Sequence, residues 1–448
     1  ANRGEIACRV IAACRGLGID AVAIYSDADA KARHVRMADA AHHVGPSRVD
    51  RSYLNVEAVL AAAREAGADA VHPGYGLLSE NADFAAAVMA AGLTWIGPKP
   101  ETIAAMGDKG RARAMAAEAG VPVLPGSPRF AEIDAETLAA HGAETGFPLL
   151  VKAAGGGGGI GMRRVDRAED LAGVVEATRA MAERAFGNPT VYLERFVPTA
   201  RHIEVQVFGF GDGRAVHLYE RECSVQRRFQ KVIEEGPSPA LDAATRTRMA
   251  ESAAALAARQ NYAGAGTVEF IFDDDSGAFF FLEMNTRIQV EHAVTEMITG
   301  LDLVQMQLRL ARGDDFSGFT QSDVAREGHA IELRLYAENP AKNYLPSPGQ
   351  LSRVAFPGGD GVRVDTGFEE GDELTPFYDP LIAKLIVRGA DRDDAMARGR
   401  AMLRETVVEG PATNLALLRA VLDHAAFIDG RTFTNFLDVH RQELLASV

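Results

Sequence analysis

Apolar positions recur along this chain at two periods. Near its start, Ile6, Val10, Cys14 and Leu17 fall three to four residues apart, the spacing of an amphipathic helix. The helix follows directly on the turn Asn2-Arg3-Gly4; in an α/β fold a strand precedes such a turn, so roughly five or six residues of strand are expected upstream of Ala1. From 1 to 96 short apolar runs then alternate with helical stretches. Strands are expected at Ala21–Tyr25, at Ala68–His72 ending in Pro73-Gly74, and at Leu93–Ile96 ending in Gly97-Pro98. Helices are expected at Leu54–Ala66 and Asn81–Ala91. Alternating strands and helices predict a parallel, doubly wound sheet, whose functional groups gather at the carboxyl ends of its strands. The segment Val71–Gly76 sits at one such end.

Residues 97–123 read as an Ala-rich helical linker closing at Gly120, and 124–196 as a small α/β unit. That unit holds a strand at Pro148–Ala153, a glycine run, and a second strand at Val191–Phe196. The remainder, 197–448, reads as a larger α+β region with antiparallel strands near 203–210, 215–220, 265–272 and 279–290. Two Pro/Gly-rich breaks, Pro346–Gly349 and Pro357–Gly359, precede a final β-then-helix segment.

From Glu283 to Glu291 the period is two: Glu283, Asn285, Arg287, Gln289 and Glu291 alternate with Met284, Thr286, Ile288 and Val290. In an extended chain this lines five polar groups along one face. A solvated sheet face has the same pattern, but this one ends a very apolar run, Phe279–Leu282, and a carboxylate there is costly to bury unless paired or on a metal. A partner is at hand in Glu269, the one carboxylate of Gly266–Phe272, joined to the Phe run by the turn Asp273–Gly277. A hairpin brings Glu269 near Glu283, and two such carboxylates suit Mg²⁺. A second constellation is Lys152, at the end of an apolar strand, followed by Gly155–Gly159 and Gly161; a polyglycine loop can close its amides on phosphate while the lysine supplies countercharge. A linker is the plainer reading of the glycines, but apolar strands on both sides argue for a covering hairpin. A third, Glu220–Lys231, is dense in charge and Gln, which suits an anion site or a solvated loop.

Composition narrows the classes. The 448 residues are 47% hydrophobic and 24% charged, which is ordinary for a globular protein and too long for one core. No apolar run reaches the roughly 18 residues of a membrane span. The net charge of −15 disfavours nucleic acid as a partner. Three cysteines (Cys8, Cys14, Cys223) and the absence of a basic-then-apolar leader suggest a reducing, cytoplasmic setting.

Together these segments resemble the biotin carboxylase family of the ATP-grasp superfamily. The resemblance rests on Ala1–Ala7, His72–Asn81 (HPGYGLLSEN), Gly107–Lys109, Val151–Met162, Arg201–Gln206, Glu220–Glu235, Gly264–Glu269, Glu283–His292, Gly328–Arg334 and Phe377–Pro380, and so covers essentially the whole chain. It implies an ATP-grasp fold, α/β and α+β, with a doubly wound N-terminal domain, a mobile glycine-loop lid and a larger C-terminal domain. It further implies that Lys109, Lys152, Gly157, Gly158 and Gly159 bind ATP phosphates, that Glu194 and Arg195 flank the adenine, and that His202 and Gln226 touch the nucleotide. Glu269, Glu283 and Asn285 match a Mg²⁺ (or Mn²⁺) site. Lys231, Arg287, Gln289 and Val290 match a bicarbonate pocket, Glu291 the base that deprotonates bicarbonate, Arg334 the group that stabilises the biotin enolate, and Tyr75 a residue near biotin. Ile160 stands where the family usually has Arg or Lys, Phe229 where it has His, and Gly236 where it has Ala.

Nothing resembles the Met-Lys-Met biotin attachment site, so biotin is expected on a separate carrier domain or protein, with a carboxyltransferase as a further partner and dimerisation as the family habit. The stretch Val362–Lys384 looks most like acyl-CoA carboxylase α-subunits. Two competing readings are a carbamoyl phosphate synthetase-type ligase, disfavoured by HPGYG and the lack of a duplicated half, and a non-catalytic nucleotide-binding module, disfavoured by the intact Lys231, Arg287 and Glu291.

Overall fold

A computed structural model describes residues 1–154 and 161–446. The first helix, α1 (Gly4–Gly16), buries Ile6, Ile11 and Cys14. Strand β1 (Val22–Ser26) pairs in parallel with β2 (Ala40–Gly45), with the short α2 (Arg33–Met37) between them. After α3 (Val56–Glu65), β3 (Ala70–Val71) pairs in parallel with β4 (Thr94–Trp95) across α4 (Ala82–Ala90). Asn55 and Asn81 cap α3 and α4, accepting from the amides of Ala58 and Phe84. The strands thus run parallel, as the alternation implies, and form two two-stranded ladders. The Ala1 amine and the Asn2 side chain hold the end of β3, donating to the carbonyls of His72, Pro73 and Tyr75 at 2.7–2.8 Å.

Residues 97–123 fold mainly as α5 (Pro100–Gly107) and α6 (Lys109–Glu118), with Asp108 capping the second. Next, α7 (Ala135–Thr145) and α8 (Leu171–Phe186) pack on an antiparallel sheet of β5 (Leu149–Ala153), β6 (Met162–Val165) and β7 (Val191–Arg195), ordered β6-β5-β7. Leu149, Val151 and Leu193 face the helices at 0% exposure, so alternation turns Lys152 and Glu194 to the other side.

The body of the molecule is an eight-stranded antiparallel sheet. Its strands are β8 (Ala200–Phe210), β9 (Ala215–Arg227), β10 (Gln230–Gly236), β11 (Ala263–Asp273), β12 (Phe279–Asn285), β13 (His329–Tyr336), β14 (Val362–Thr366) and β15 (Leu381–Gly389), ordered β12-β11-β8-β9-β10-β13-β15-β14. Helix α9 (Ala243–Arg259) covers one face, where Ile203, Val205, Val207, Val268 and Phe270 meet Met249 and Leu256. Farther along, α12 (Arg392–Glu405) and α13 (Leu415–Asp423) close a second core on β13 and β15. The residues that alternate with these apolar positions face the other way, toward α10 (His292–Thr299) and α11 (Leu303–Arg312).

The strand expected over 279–290 ends at Asn285, and the chain bends before α10. The ladder to β11 stops at the pair Thr267–Asn285, and Glu80 takes over, accepting from the Thr286 amide (3.3 Å) and from Arg287 Nε (2.8 Å). The strand expected at 215–220 runs on to Arg227.

Candidate active site

A cleft of about 1260 Å³ lies between the three-stranded sheet and the inner face of the large one. Its floor is built by alternation on neighbouring strands. Glu269 of β11 and Glu283 and Asn285 of β12 line it, while Glu204 and Gln206 of β8 and Thr267 of β11, which oppose the apolar positions packed on α9, are fully buried beneath it. Glu269 and Glu283 are direct partners across the ladder, as the hairpin argument required.

The centre of the floor is Lys231. Its ammonium donates to Glu204 Oε2 (2.5 Å), Glu291 Oε1 (2.6 Å) and Glu269 Oε1 (2.9 Å). Burial alone would lower a lysine pKa, but these carboxylates, Glu204 first, hold it well above the ordinary range. Glu291 is 2% exposed, and its Oε2 accepts from Arg334 at 2.9 Å. Burial by itself would raise that carboxyl; Lys231, Arg334 and Arg221 outweigh it and keep Glu291 ionised, well below the usual carboxylate range. Arg334 also meets Glu234 at 2.6 Å, whose carboxyl burial pushes up to about 7. Gln289 and Asn285 both donate to Glu269 Oε1 at 2.9 Å, and Arg287 donates to Asn285 Oδ1 at 3.0 Å. The five polar residues of Glu283–Glu291 therefore converge on one cleft although the strand stops at Asn285; Gln289, Val290 and Glu291 arrive by a turn.

Toward the small sheet, Lys152 is ion-paired with Glu194, and Arg195 and Gln226 also line the cleft. Lys109, at the start of α6, approaches Glu283 to 3.7 Å. His202 Nε2 lies 3.1 Å from Glu269, and its Nδ1 meets the Gln226 amide at 2.9 Å. On the opposite wall the Tyr75 hydroxyl donates to Glu5. All the predicted site residues among those described line this cleft; Gly157, Gly158, Gly159 and Ile160 lie outside the described residues.

The carboxylate pair on the hairpin fits a divalent cation. Burial, then the charge of Glu269, pushes the Glu283 carboxyl up, a repulsion that a metal between them relieves. Near this pair, the close donor groupings His202–Glu204–Glu269 and Glu204–Cys223–Glu291 both use Glu204. Its oxygens are already engaged by Lys231 and Arg221, so these groupings are ion-pair clusters.

Sequence reasoning missed Glu204, Arg221 and Glu80. Arg221 is fully buried and ties the floor together, donating to Glu204 (2.6 Å), Gln206 (2.8 Å), Thr295 (2.7 Å) and Gln289 (3.1 Å). The signal for Glu204 was present: it is a carboxylate on an alternating strand, His202-Ile203-Glu204-Val205-Gln206, and calls for a partner for the same reason as Glu269. Of the departures, Phe229 is 67% exposed at the cleft edge, with φ +65° in the turn between β9 and β10. At Gly236 an added Cβ would come within 2.9 Å of Val294 Cγ1, so glycine suits that packing.

Comparison with known proteins gives the family. Residues 1–103 match the family model "Biotin carboxylase, N-terminal domain", 108–318 match "Carbamoyl-phosphate synthase L chain, ATP binding domain", and 332–439 match "Biotin carboxylase C-terminal domain". The chain is 47% identical to biotin carboxylase 1 of Bacillus subtilis, over 98% of this chain and 97% of that one. It is also 47% identical to the mitochondrial methylcrotonoyl-CoA carboxylase subunit alpha of Oryza sativa, over all of this chain and 60% of that one. Among solved structures, the biotin carboxylase domain of Hydrogenobacter thermophilus 2-oxoglutarate carboxylase, a dimer in complex with MgADP, ADP and bicarbonate, superposes with a TM-score of 0.90. It is 43% identical, with 99% of this chain and 97% of that one covered.

Proposed function

The chain belongs to the biotin carboxylase family, with the ATP-grasp fold, and from that premise we propose that it carboxylates carrier-borne biotin by way of carboxyphosphate. It is a ligase that uses ATP, Mg²⁺ and biotin. The observation that carries the proposed site is the buried set Lys231, Glu291 and Arg334 at the floor of the cleft.

In this reading Lys109 and Lys152, with Gly157, Gly158 and Gly159, hold the ATP phosphates; Glu194 and Arg195 flank the adenine, and His202 and Gln226 touch the nucleotide. Glu269, Glu283 and Asn285 hold Mg²⁺, which when bound neutralises charge on the phosphates. Lys231, Arg287, Gln289 and Val290 seat bicarbonate. Lys231 and Arg334 hold Glu291 ionised, which makes it a weak base. A bicarbonate anion competes for the same cations; as they turn to it, the Glu291 carboxyl rises toward the range in which it accepts the bicarbonate proton. The freed oxygen attacks the γ-phosphorus, giving carboxyphosphate and ADP. Carboxyphosphate breaks to CO₂ and phosphate, and phosphate takes the N1′ proton of biotin. Arg334 stabilises the resulting enolate, which captures CO₂, with Tyr75 beside the biotin ring.

The domain division at 97, 124 and 197 is part of the same proposal, as are a separate biotin carrier, a carboxyltransferase and a homodimer. Acyl-CoA carboxylase is the proposed context, supported by Val362–Lys384 and the rice relative, although another relative serves 2-oxoglutarate. Three free, buried cysteines suit a reducing cytoplasm, and no helix among the described residues is long and apolar enough to cross a membrane.

The test is bicarbonate-dependent ATP hydrolysis with and without free biotin, in the native chain and in Glu291→Gln. Stimulation by biotin that the variant loses is expected; no stimulation, or a fully active variant, overturns the mechanism.

A further inference from the structure

Lys384 is a wholly buried ammonium that does not line the cleft. It sits on β15 between Arg334 of β13 and Asp365 of β14, its register partners on either side. Its ammonium donates to the backbone carbonyl of Val290 at 2.8 Å, and lies 3.3 Å from Glu5 Oε1 and 3.4 Å from Asp365 Oδ2. Each anchor is itself fixed. Asp365 takes two bonds from Arg363, and Arg363 continues to Glu296 at 2.7 Å. Glu5, at the start of α1, accepts from the Tyr75 hydroxyl on the biotin side of the cleft.

The contact with Val290 is the informative one. Val290 lies in the turn that delivers Gln289 and Glu291 to the cleft. The preceding carbonyl, of Gln289, is also held, by His292 Nδ1 at 2.7 Å, and His292 is likewise fully buried away from the cleft. In a trans peptide the N–H points opposite to the C=O. Pinning the carbonyls of Gln289 and Val290 into the interior therefore directs the amides of Val290 and Glu291 toward the cleft, where backbone donors can meet an oxyanion.

We infer that Lys384 is a positioning residue: it holds the Gln289–Glu291 turn with its amides facing the bicarbonate, and through Glu5 it links that turn to Tyr75. This rests on the reading of the cleft given above. A buried lysine kept only for stability needs no contact with a backbone carbonyl of the site; hydrophobic replacements of buried ion pairs are often tolerated.

The experiment is steady-state, biotin-stimulated ATP hydrolysis by the full chain, native and with Lys384→Met. A double variant, Lys384→Met with Asp365→Asn, removes one charge of each sign and guards against misfolding. The bicarbonate KM is expected to rise about tenfold or more while the ATP KM stays within about twofold, because only the bicarbonate-side turn is released. A merely structural role lowers the melting temperature and the active fraction and leaves the bicarbonate KM in place; that outcome overturns the assignment. If neither Lys384 variant folds, Glu5→Gln decides. It keeps an acceptor for Tyr75 but weakens the hold on Lys384, so the biotin and bicarbonate KM should rise together by about threefold or more, and unmoved values reject the link. A native chain without biotin-stimulated, bicarbonate-dependent turnover overturns the functional reading and the assignment together. Native turnover with an unmoved bicarbonate KM overturns Lys384 alone.

Discussion

Glu291 takes a separate cation on each of its carboxylate oxygens, and that pairing defines its chemistry. With Lys231 on one oxygen and Arg334 on the other, it stays charged in a site where burial favours the neutral acid. Replacing it with Gln removes the base and should lower bicarbonate-dependent ATP hydrolysis by at least about 100-fold. Lys231→Met should fail differently. It leaves Glu204, Glu269 and Glu291 facing one another without their shared cation, so activity is lost and stability falls by about 3–5 kcal/mol, read by urea unfolding. At the nucleotide edge, Phe229→His should lower the ATP KM by restoring a polar contact at an exposed position; an unchanged KM would show that the departure is neutral. Alternation singled out the polar face that carries Glu291, whereas the roles of Glu291 and Lys231 and the departure at Phe229 were legible only through the family resemblance. Arg221 was harder to single out: in the dense run Glu220–Lys231 a fully buried arginine looks the same as a solvated one.

At the level of elements, the hairpin of β11 and β12 carries the metal argument. Its register sets Glu269 opposite Glu283, and burial, then the charge of Glu269, raises the Glu283 carboxyl. Mg²⁺ with ADP should therefore raise the melting temperature. At a concentration 100 times its Kd the metal contributes about 2.7 kcal/mol. Glu283→Gln should abolish the metal increment and keep that of ADP alone, and chelation with EDTA should reverse it in the native chain. Period-two alternation identified this hairpin but misplaced the end of β12. Alternation reports which way side chains point, whereas the end of the ladder is decided by Glu80, some two hundred residues away in sequence.

Across the whole molecule, Glu235 joins the large sheet to its C-terminal helices. It accepts from His329 on β13 (2.7 Å) and from Arg392 on α12 (2.7 and 3.0 Å). Burial opposes its ionisation, but these two partners lower its pKa from 4.5 to about 2. Because the folded value lies below the unfolded one, the ionised form contributes stability above about pH 4.5, and that contribution is lost as pH falls toward 2. It amounts to about 3 kcal/mol. Denaturant titrations should show this part of the acid sensitivity in the native chain and not in Glu235→Gln, which starts less stable at pH 7.

What the sequence determined by itself was local: helices and strands with their faces, the Glu269–Glu283 hairpin, the segments that carry the family resemblance and the types of residue that serve it. The elements and the hairpin follow from side-chain period and the cost of burying charge, and the resemblance from matching motifs, all legible along a chain. The tertiary structure decided the rest: that Lys231 is shared by Glu204 and Glu269 from two strands and Glu291 from a turn, that Arg221 underlies them, and that Lys384 reaches the carbonyl of Val290. Such contacts join residues tens to hundreds of positions apart, and a one-dimensional pattern holds no term for distance in space.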